Sequence, residues 1–498
     1  MSDIEDRKSL EPEVDVVVSS RSESAAVSAA YEAKSNLINE CMQREIGFGW
    51  YQFNVFMLTG LGWAADNIWL QGVAIILPQI QTELNPVHVE YATLALFAGL
   101  IVGATLWGIL ADIIGRRLSF NITLFIAGVF GIAAGGAPNF VAIAALISCI
   151  GFGVGAIFLE VVPQSHQWLL TLLSAWWALG QLFASLVAWP FIAHYSCPSG
   201  TVAGQCPRDE NMGWRYTFGA VTFAMFISRF FLFDLQESAK YLVANGRDEE
   251  AIRVLEHIAR KNGKTITLTV EKLQAVGGKF GEQGPVSMSL GQTVRHSLRM
   301  FSLDHIKPLF ASRKLAVNTA LTILLWGLIG LAYPLFNGFI TLYLQARAPA
   351  GSDSTAVTYR NYSIISVLGI PGSIIAAVLV DWTRKDQSRF ALGGRKLAMA
   401  LSTALNGIFL FLFTTATSQS AILGYNCASS LTANAMYGVL YAYTPEVFPA
   451  PHRGTGDALA SAFNRIMGLI APLIKIATTS GSQTTATANG HTAGKAAL

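Results

Sequence analysis

The chain has 498 residues, of which 52% are apolar and 13% are charged, and its formal net charge is +3. An ordinary soluble domain carries roughly 25% charged residues, so this composition indicates that most of the chain lies in a lipid bilayer. The small, scattered charge excludes a nucleic-acid-binding protein. Five cysteines without Cys/His spacing exclude a metal site, and we expect no cofactor.

The first 48 residues are polar and mixed in charge, and they predict a disordered cytosolic tail with room for one short helix around Ala25–Met42. They contain no secretory signal. We therefore expect the first hydrophobic span to act as its own insertion signal.

Charge-free intervals of about 20 residues predict the membrane spans. Six fall in an N-terminal bundle over 49–235 and five in a C-terminal bundle over 314–476. A polar cytosolic loop over 236–313 separates the bundles, and a disordered tail follows over 477–498. The predicted spans are 50–78, 89–110, 118–136, 140–160, 168–193, 214–235, 314–345, 361–380, 397–416, 420–443 and 454–476.

The polar loop contains an amphipathic segment, Arg247–Lys261, with Ala251, Val254, Leu255 and Ile258 at helical spacing. We expect a surface helix that packs against the spans. A regulatory docking site is the alternative.

Basic loops alternate with nearly uncharged ones along the chain, which predicts a cytosolic N-terminus. The plasma membrane is the expected location. The loop that holds Cys197 and Cys206 then faces the exoplasm, where a disulfide would persist. A disulfide and two free thiols both remain open.

The two halves repeat the same loop motifs. Gly108–Arg117 (GILADIIGRR) after the second span matches Val380–Lys396 after the eighth. Glu160–His166 (EVVPQSH) after the fourth span matches Pro445–Arg453 after the tenth. Duplicated halves with a site at their interface are common among secondary transporters.

The first of these loops resembles the signature loop of the major facilitator superfamily. Gln236–Leu242 and Pro445–Pro449 resemble segments of its sugar-porter relatives. Together with Gly213–Arg215, the pattern resembles the synaptic-vesicle-glycoprotein and niacin-transporter-like branch, in fungal form. The resemblance implies an all-α membrane protein, a monomer, with two six-helix pseudo-repeats. It also implies a charge network that controls conformational gating, formed by Gly108, Asp112, Gly115, Arg116, Arg117, Glu160, Asp381, Arg395, Glu446 and Arg453.

The sequence departs from this family pattern at two places. The fourth span is shortened, because Gly153-Val-Gly155 runs directly into Ala156-Ile-Phe-Leu-Glu160. The twelfth span is missing, because the residues after Lys475 are rich in Thr, Ser, Ala and Gly.

Ionisable residues at bilayer depth are functional candidates because burying a charge there is costly. Asp66 lies roughly 24 Å along a helix that begins at Trp50. We interpret it as a protonatable carboxylate, or else as a structural partner of a neighbouring span. Arg465 lies at similar depth and is interpreted as a ligand for a substrate carboxylate. A structural ion pair is the alternative.

Polar and aromatic side chains on the spans that line the pathway in this superfamily add weaker candidates. The polar ones are Asn67, Gln71, Gln181, Asn337, Asn434 and Tyr437. Trp176, Trp177 and Trp326 would stack on a ring substrate or face lipid.

The leading hypothesis is proton-coupled transport of a small organic solute by alternating access, with an organic acid favoured. A sugar or polyol is the second choice. A non-transporting sensor on the same fold is the third. No nucleotide loop or nucleophile motif supports an enzyme.

Overall fold

The computed structural model describes a chain whose regular structure is helical throughout the described residues. Those residues are 33–114, 116–153, 168–198, 201–232, 237–244, 246–277, 306–348, 354–381, 394–448 and 453–489.

The helices fall into three groups in chain order. The first group is α1 (Trp50–Leu84), α2 (Tyr91–Ile114), α3 (Arg116–Gly135), α4 (Phe140–Gly153), α5 (Trp168–His194) and α6 (Gly213–Leu232). The second is α7 (Ala239–Ala244), α8 (Asp248–Lys261) and α9 (Val270–Gly277). The third is α10 (Arg313–Asn337), α11 (Ile340–Ala346), α12 (Ser354–Asp381), α13 (Gly394–Thr415), α14 (Gln419–Val447) and α15 (Arg453–Asn489). The all-α membrane fold predicted from the sequence is confirmed.

The chain divides into two compact units. The smaller comprises Met1–Val55, Asp112–Arg117 and Asp234–Val294, and we call it the linker unit. The larger comprises Phe56–Ala111, Leu118–Phe233 and Arg295–Leu498, and we call it the helix bundle.

The linker unit has its own apolar core around α8. The apolar face of α8 buries Ala251, Leu255 and Ile258. The segment before α1 is helical over 33–46 and contributes Ile38 and Ile46 to the same core. The described part of the short helix expected around Ala25–Met42 is helical and continues to Ile46, so the prediction of a disordered tail is wrong for residues 33–46. α8 packs on this segment as well as on its own loop.

Polar contacts at both ends fasten the N-terminal segment within the linker unit. The Lys34 ammonium lies 2.6 Å from the Asp248 carboxylate, with both side chains buried. The backbone amide and hydroxyl of Thr267 both donate to Glu45. The hydrogen bond from the Thr267 hydroxyl has the larger effect on the pKa of Glu45 and that from the Thr267 amide the next, and both hold this pKa below its usual value. Because a lowered carboxyl pKa stabilises only the ionised state, this fastening is lost as pH falls through that pKa.

Replacing Lys34 with alanine is expected to loosen the N-terminal segment, because it leaves the buried Asp248 charge without its partner. Removing one member of a buried pair costs about 3–5 kcal/mol. Hydrogen–deuterium exchange should accelerate over 33–46. Arg44→Ala is the control, since Arg44 forms only an exposed pair with Glu40, and equal exchange in the two variants would contradict the expectation.

The eleven predicted spans correspond to helices of the first and third groups. Six described segments are long and apolar enough to cross a membrane, and Tyr91–Trp107 and Phe140–Gly153 are shorter apolar helices. The six are Leu118–Gly135, Thr171–His194, Arg313–Ala346, Ser354–Leu379, Gly394–Thr415 and Thr455–Thr479. The fourth span is described only as far as Gly153, and the missing twelfth span stays a prediction.

Two helices differ from their predicted form. The seventh span is two helices, because Phe339 leaves helical geometry (φ −129°) and buries its ring in the core, after which α11 begins at Ile340. The last helix continues to Asn489, so the prediction of a disordered tail from 477 is wrong up to that residue. Alanine favours helix, and extending an existing helix by one residue needs no new nucleus.

The packing of the bundle repeats between its halves. Gly180 of α5 lies against the backbone of Ala64 in α1, and Gly330 of α10 lies against the backbone of Asn464 in α15. A Cβ at either glycine would overlap the facing carbonyl oxygen. The same close approach joins α2 to α4 and α12 to α14, at Gly99 with Ser148 and at Gly372 with Leu431. Equivalent helix pairs in the two halves thus meet in the same way.

One end of the bundle carries the loop between α5 and α6, and we call it the disulfide end. Cys197 and Cys206 are bonded there, with Cα atoms 6.1 Å apart. The Gly204 amide donates to the Thr82 carbonyl near the end of α1. The loop is thereby tied to α1.

A buried ion pair joins α1 to α6 at the same end. Both Arg215 terminal nitrogens donate to the Glu83 carboxylate at 2.7 Å, and the Trp214 indole and the Asn211 amide also donate to it. The Arg215 guanidinium stacks 4.1 Å above the Trp214 ring. The Glu83 carboxylate thus has a full set of partners, which a buried charge requires.

Glu83→Ala is expected to lower the thermal unfolding temperature of the purified protein strongly, because a guanidinium remains buried without its carboxylate. The loss is about 3–5 kcal/mol. Glu210→Ala changes an exposed carboxylate on the same loop and should leave the temperature unchanged. Similar unfolding temperatures for the two variants would show that the pair does not stabilise the fold.

Candidate functional site

Two opposite charges face each other inside the helix bundle. Asp66 of α1 and Arg465 of α15 interact electrostatically, and the Tyr441 phenol of α14 lies within the influence of both. No hydrogen bond or direct ion pair joins Asp66 to Arg465, although both side chains are among the described residues. The carboxylate and the guanidinium each keep unused hydrogen-bonding capacity.

Aromatic rings cluster near this charge pair. The centroid of the Trp63 ring, one helical turn before Asp66, lies 4.3 Å from that of Tyr441, and the centroid of the Trp326 ring lies 4.9 Å from that of Tyr441. The Trp326 indole donates to the Thr444 hydroxyl at 2.8 Å. Trp326 is buried, so it packs inside the bundle and does not face lipid.

A cavity with a neutral lining lies among the same helices, and its lining residue Trp177 meets the Trp63 ring edge-on, with ring centroids 6.5 Å apart. It encloses about 390 Å³ of empty space including its mouth. Indole, phenol and phenyl rings form one wall, and amides and hydroxyls of α14 form much of the rest. The lining residues are Trp177, Gln181, Tyr333, Phe336, Asn337, Ile340, Ile365, Asn426, Ser429, Ser430, Ala433, Asn434 and Tyr437.

The structure divides the residues predicted from the sequence into three sets. Gln181, Asn337, Asn434 and Tyr437 line the cavity. Asp66 and Arg465 face each other outside the lining. Asn67 and Gln71 reach the lining only through hydrogen bonds to a residue that the sequence did not single out.

That residue is Tyr333 of α10. Its hydroxyl accepts from the Gln71 amide at 2.6 Å and from the Trp177 indole at 3.1 Å, and it donates to the Asn67 side chain at 3.1 Å. The Asn67 amide in turn donates to the Trp177 carbonyl at 2.6 Å. One hydroxyl therefore joins α10 to α1 and α5, across the two halves.

Further hydrogen bonds between the halves lie towards the disulfide end. The Tyr362 hydroxyl donates to the Gln71 side-chain oxygen at 2.5 Å, and the Tyr359 hydroxyl donates to the Ile75 carbonyl at 2.8 Å. The Thr341 hydroxyl donates to the Ala74 carbonyl. Phe339, Ile340 and Leu344 are buried in the same core cluster as this part of α1. The halves are closed against each other at this end.

The side chains of most predicted gating residues are not described by the structure. The side chains of Gly108, Asp112, Gly115, Arg116, Arg117, Glu160, Asp381, Glu446 and Arg453 lie outside the described residues. Arg395 is described, partly buried, at the start of α13. The gating role of the whole set stays a prediction.

Tyr333, Tyr362, Tyr441 and Trp63 are the functional candidates that the sequence analysis missed. Each places a polar group inside an otherwise apolar span. That signal is present in the sequence, but the contacts of these residues are not, since they are made with other helices.

The arrangement can hold a small polar solute beside a protonatable group. Neutral donors and acceptors line the cavity. The Asp66 carboxylate directly precedes Asn67, whose side chain accepts from Tyr333 of the lining. Among the described residues no three His, Cys, Asp or Glu side chains converge on a possible metal position.

The chain is similar to known transporters over most of its length. The family model for the Major Facilitator Superfamily matches residues 53–472. The chain is 47% identical to the "MFS siderochrome iron transporter 1" of Ceriporiopsis subvermispora, over 91% of this chain and 87% of that protein. It is 40% identical to the "Major facilitator-type transporter hxnZ" of Emericella nidulans, over 89% and 82%.

A solved structure shares the fold. The proton:xylose symporter XylE bound to 6-bromo-6-deoxy-D-glucose matches with a TM-score of 0.61 and 17% sequence identity. The match covers 88% of this chain and 90% of that one.

Proposed function

Because the chain belongs to the major facilitator superfamily, we propose that it is a proton-coupled secondary transporter that carries a small organic solute by alternating access. An organic acid is the favoured solute. The relatives and the shared fold are those of transporters and not of enzymes, so the membrane-transport class itself is established.

The observation that carries the proposal is the facing pair Asp66 and Arg465. A carboxylate inside a membrane protein is costly to keep ionised without a partner, and it gains or loses a proton when a cation retreats or approaches. Arg465 supplies such a cation without closing on Asp66. The guanidinium therefore keeps donors for a second carboxylate, that of an organic acid, and binding of that carboxylate would free Asp66 to take a proton.

The packing between the halves supports alternating access. Hydrogen bonds of Tyr333, Tyr359, Tyr362 and Thr341 close the halves at the disulfide end. The repeated glycine contacts keep each half internally rigid. A rocking motion of one half against the other would break the first set and keep the second.

A sugar or polyol is the second candidate, and the cavity lining favours it. Amide and hydroxyl groups from Gln181, Asn337, Asn426, Ser429 and Asn434 match a ligand rich in hydroxyls, and no Asp, Glu, Lys or Arg is found in the cavity lining within the described part of the chain. A charged solute would have to reach past the lining to meet Arg465.

Uptake by purified protein in liposomes tests the proposal. The panel is a set of aromatic and aliphatic acids, a set of sugars and polyols, and a siderochrome–iron complex, each measured with and without an imposed proton gradient. Gradient-driven accumulation of an acid is the expected result. Accumulation of a polyol alone would favour the second candidate. Failure of every solute with correctly inserted protein would favour a sensor.

We further propose that the protein acts as a monomer in the plasma membrane with its N-terminus in the cytosol. The basic loops on one side of the predicted spans support this orientation. Protease protection of an epitope at residue 1 in sealed right-side-out vesicles should be complete, and digestion of the epitope would reverse the orientation.

A further inference from the structure

We propose that the Tyr333 hydroxyl couples occupation of the cavity to opening of the disulfide end. This inference rests on the proposed transport function for its biological meaning. The contacts that support it and its first test do not depend on that function. Tyr333 is a positioning residue in this scheme, since it acts through Asn67, Gln71 and Trp177.

The first step is that Tyr333 belongs to the cavity and to the closure at once. Its ring lines the cavity and meets the Tyr437 ring edge-on with centroids 5.5 Å apart. Its hydroxyl holds Gln71, Trp177 and Asn67. A solute that offers its own donors and acceptors to this wall competes with those partners.

The second step is that the bonds cross between the halves. Gln71 and Asn67 belong to α1 and Trp177 to α5, whereas Tyr333 belongs to α10. Gln71 also accepts from Tyr362 of α12. Loosening Tyr333 therefore frees the side chain that a second cross-half bond depends on.

The third step is the connection to the charge pair. Asn67 follows Asp66 directly on α1, and its amide is held by Trp177 while its oxygen is held by Tyr333. Release of Tyr333 leaves the Asn67 oxygen without that donor. A shift of this part of α1 would change the distance from Asp66 to Arg465.

The test measures opening of the disulfide end without any solute. The free cysteines Cys41, Cys149 and Cys427 are replaced by alanine, and Leu344→Cys is added as a reporter, because Leu344 is buried in the core cluster near this end. The protein is placed in lipid nanodiscs, where both ends meet the reagent. The rate of labelling by a water-soluble maleimide is then recorded.

Tyr333→Phe should raise the labelling rate about tenfold, since three hydrogen bonds of modest net strength are lost. Tyr343→Phe is the matched control, because the Tyr343 hydroxyl donates to the Leu335 carbonyl within its own half. It should label at the parent rate. Gln71→Leu should accelerate labelling in the same direction as Tyr333→Phe, while keeping the tyrosine.

Equal labelling of the Tyr333→Phe and Tyr343→Phe variants would overturn the inference. A second readout uses any solute that the liposome panel identifies. Tyr333→Phe should raise the half-saturation concentration several-fold while solute exchange across the membrane persists, and an unchanged half-saturation concentration would also count against it. If no solute is transported, the proposed function fails, and the labelling result still decides the role of Tyr333.

Discussion

Replacing Asp66 with asparagine is expected to abolish accumulation of solute against its gradient while leaving exchange of solute across the membrane. Asparagine keeps the shape of the side chain but cannot take up or release a proton. One proton moving down a gradient of about 1.7 pH units supplies about 2.3 kcal/mol, which sustains a roughly fiftyfold accumulation ratio for an acid carried with it. That ratio should fall to about one.

The measurement compares net uptake, driven by an imposed proton gradient, with counterflow at equal pH in the same liposomes. Asp66→Glu is the control, because it keeps a titratable group at nearly the same place. Counterflow that persists in the Asp66→Asn liposomes shows that a loss of accumulation does not come from misfolding. Undiminished accumulation by the single variant would remove Asp66 from the coupling mechanism.

Replacing Arg465 with glutamine is expected to weaken binding of an organic acid selectively. A hydrogen bond to a charged group contributes about 1.5–3 kcal/mol, so the half-saturation concentration for the acid should rise roughly tenfold to a hundredfold. The carboxamide analogue of the same acid carries no charge and should be unaffected.

Arg465→Lys separates charge from shape in this prediction. Lysine keeps the positive charge but not the planar fork that grips a carboxylate at two points. An intermediate half-saturation concentration is therefore expected. Equal weakening for the acid and its carboxamide would show that Arg465 supports the structure of the bundle without binding the solute.

The spans were predictable because the bilayer imposes one simple rule, a charge-free apolar run of fixed length. The same rule could not find the break at Phe339, since the run from Arg313 to Ala346 stays apolar across it. Nor could it find that the short helix expected around Ala25–Met42 continues to Ile46 and packs into a core. Ile38 and Ile46 fit the core beside α8 only after the chain has folded.

The candidate site was likewise predictable from the sequence only in part. Asp66 and Arg465 stand out in the sequence because charges are rare within spans, and the structure brings them to face each other. The Tyr333 and Tyr362 contacts join residues 262 and 291 positions apart. Nothing in the local pattern around either tyrosine specifies such partners, and a phenol in an apolar span reads equally well as an interfacial ring.

The ordered segment 33–46 also bears on how the protein can be trimmed and tagged for biochemistry. A shortened protein that begins at residue 48 lacks Ile38, Cys41 and Ile46, which share an apolar core with α8. The apolar faces of Leu255 and Leu273 that these residues cover would meet water. Such a preparation would be prone to precipitate for reasons unrelated to transport. Shortened versions should therefore keep the segment from Lys34 to Ile46.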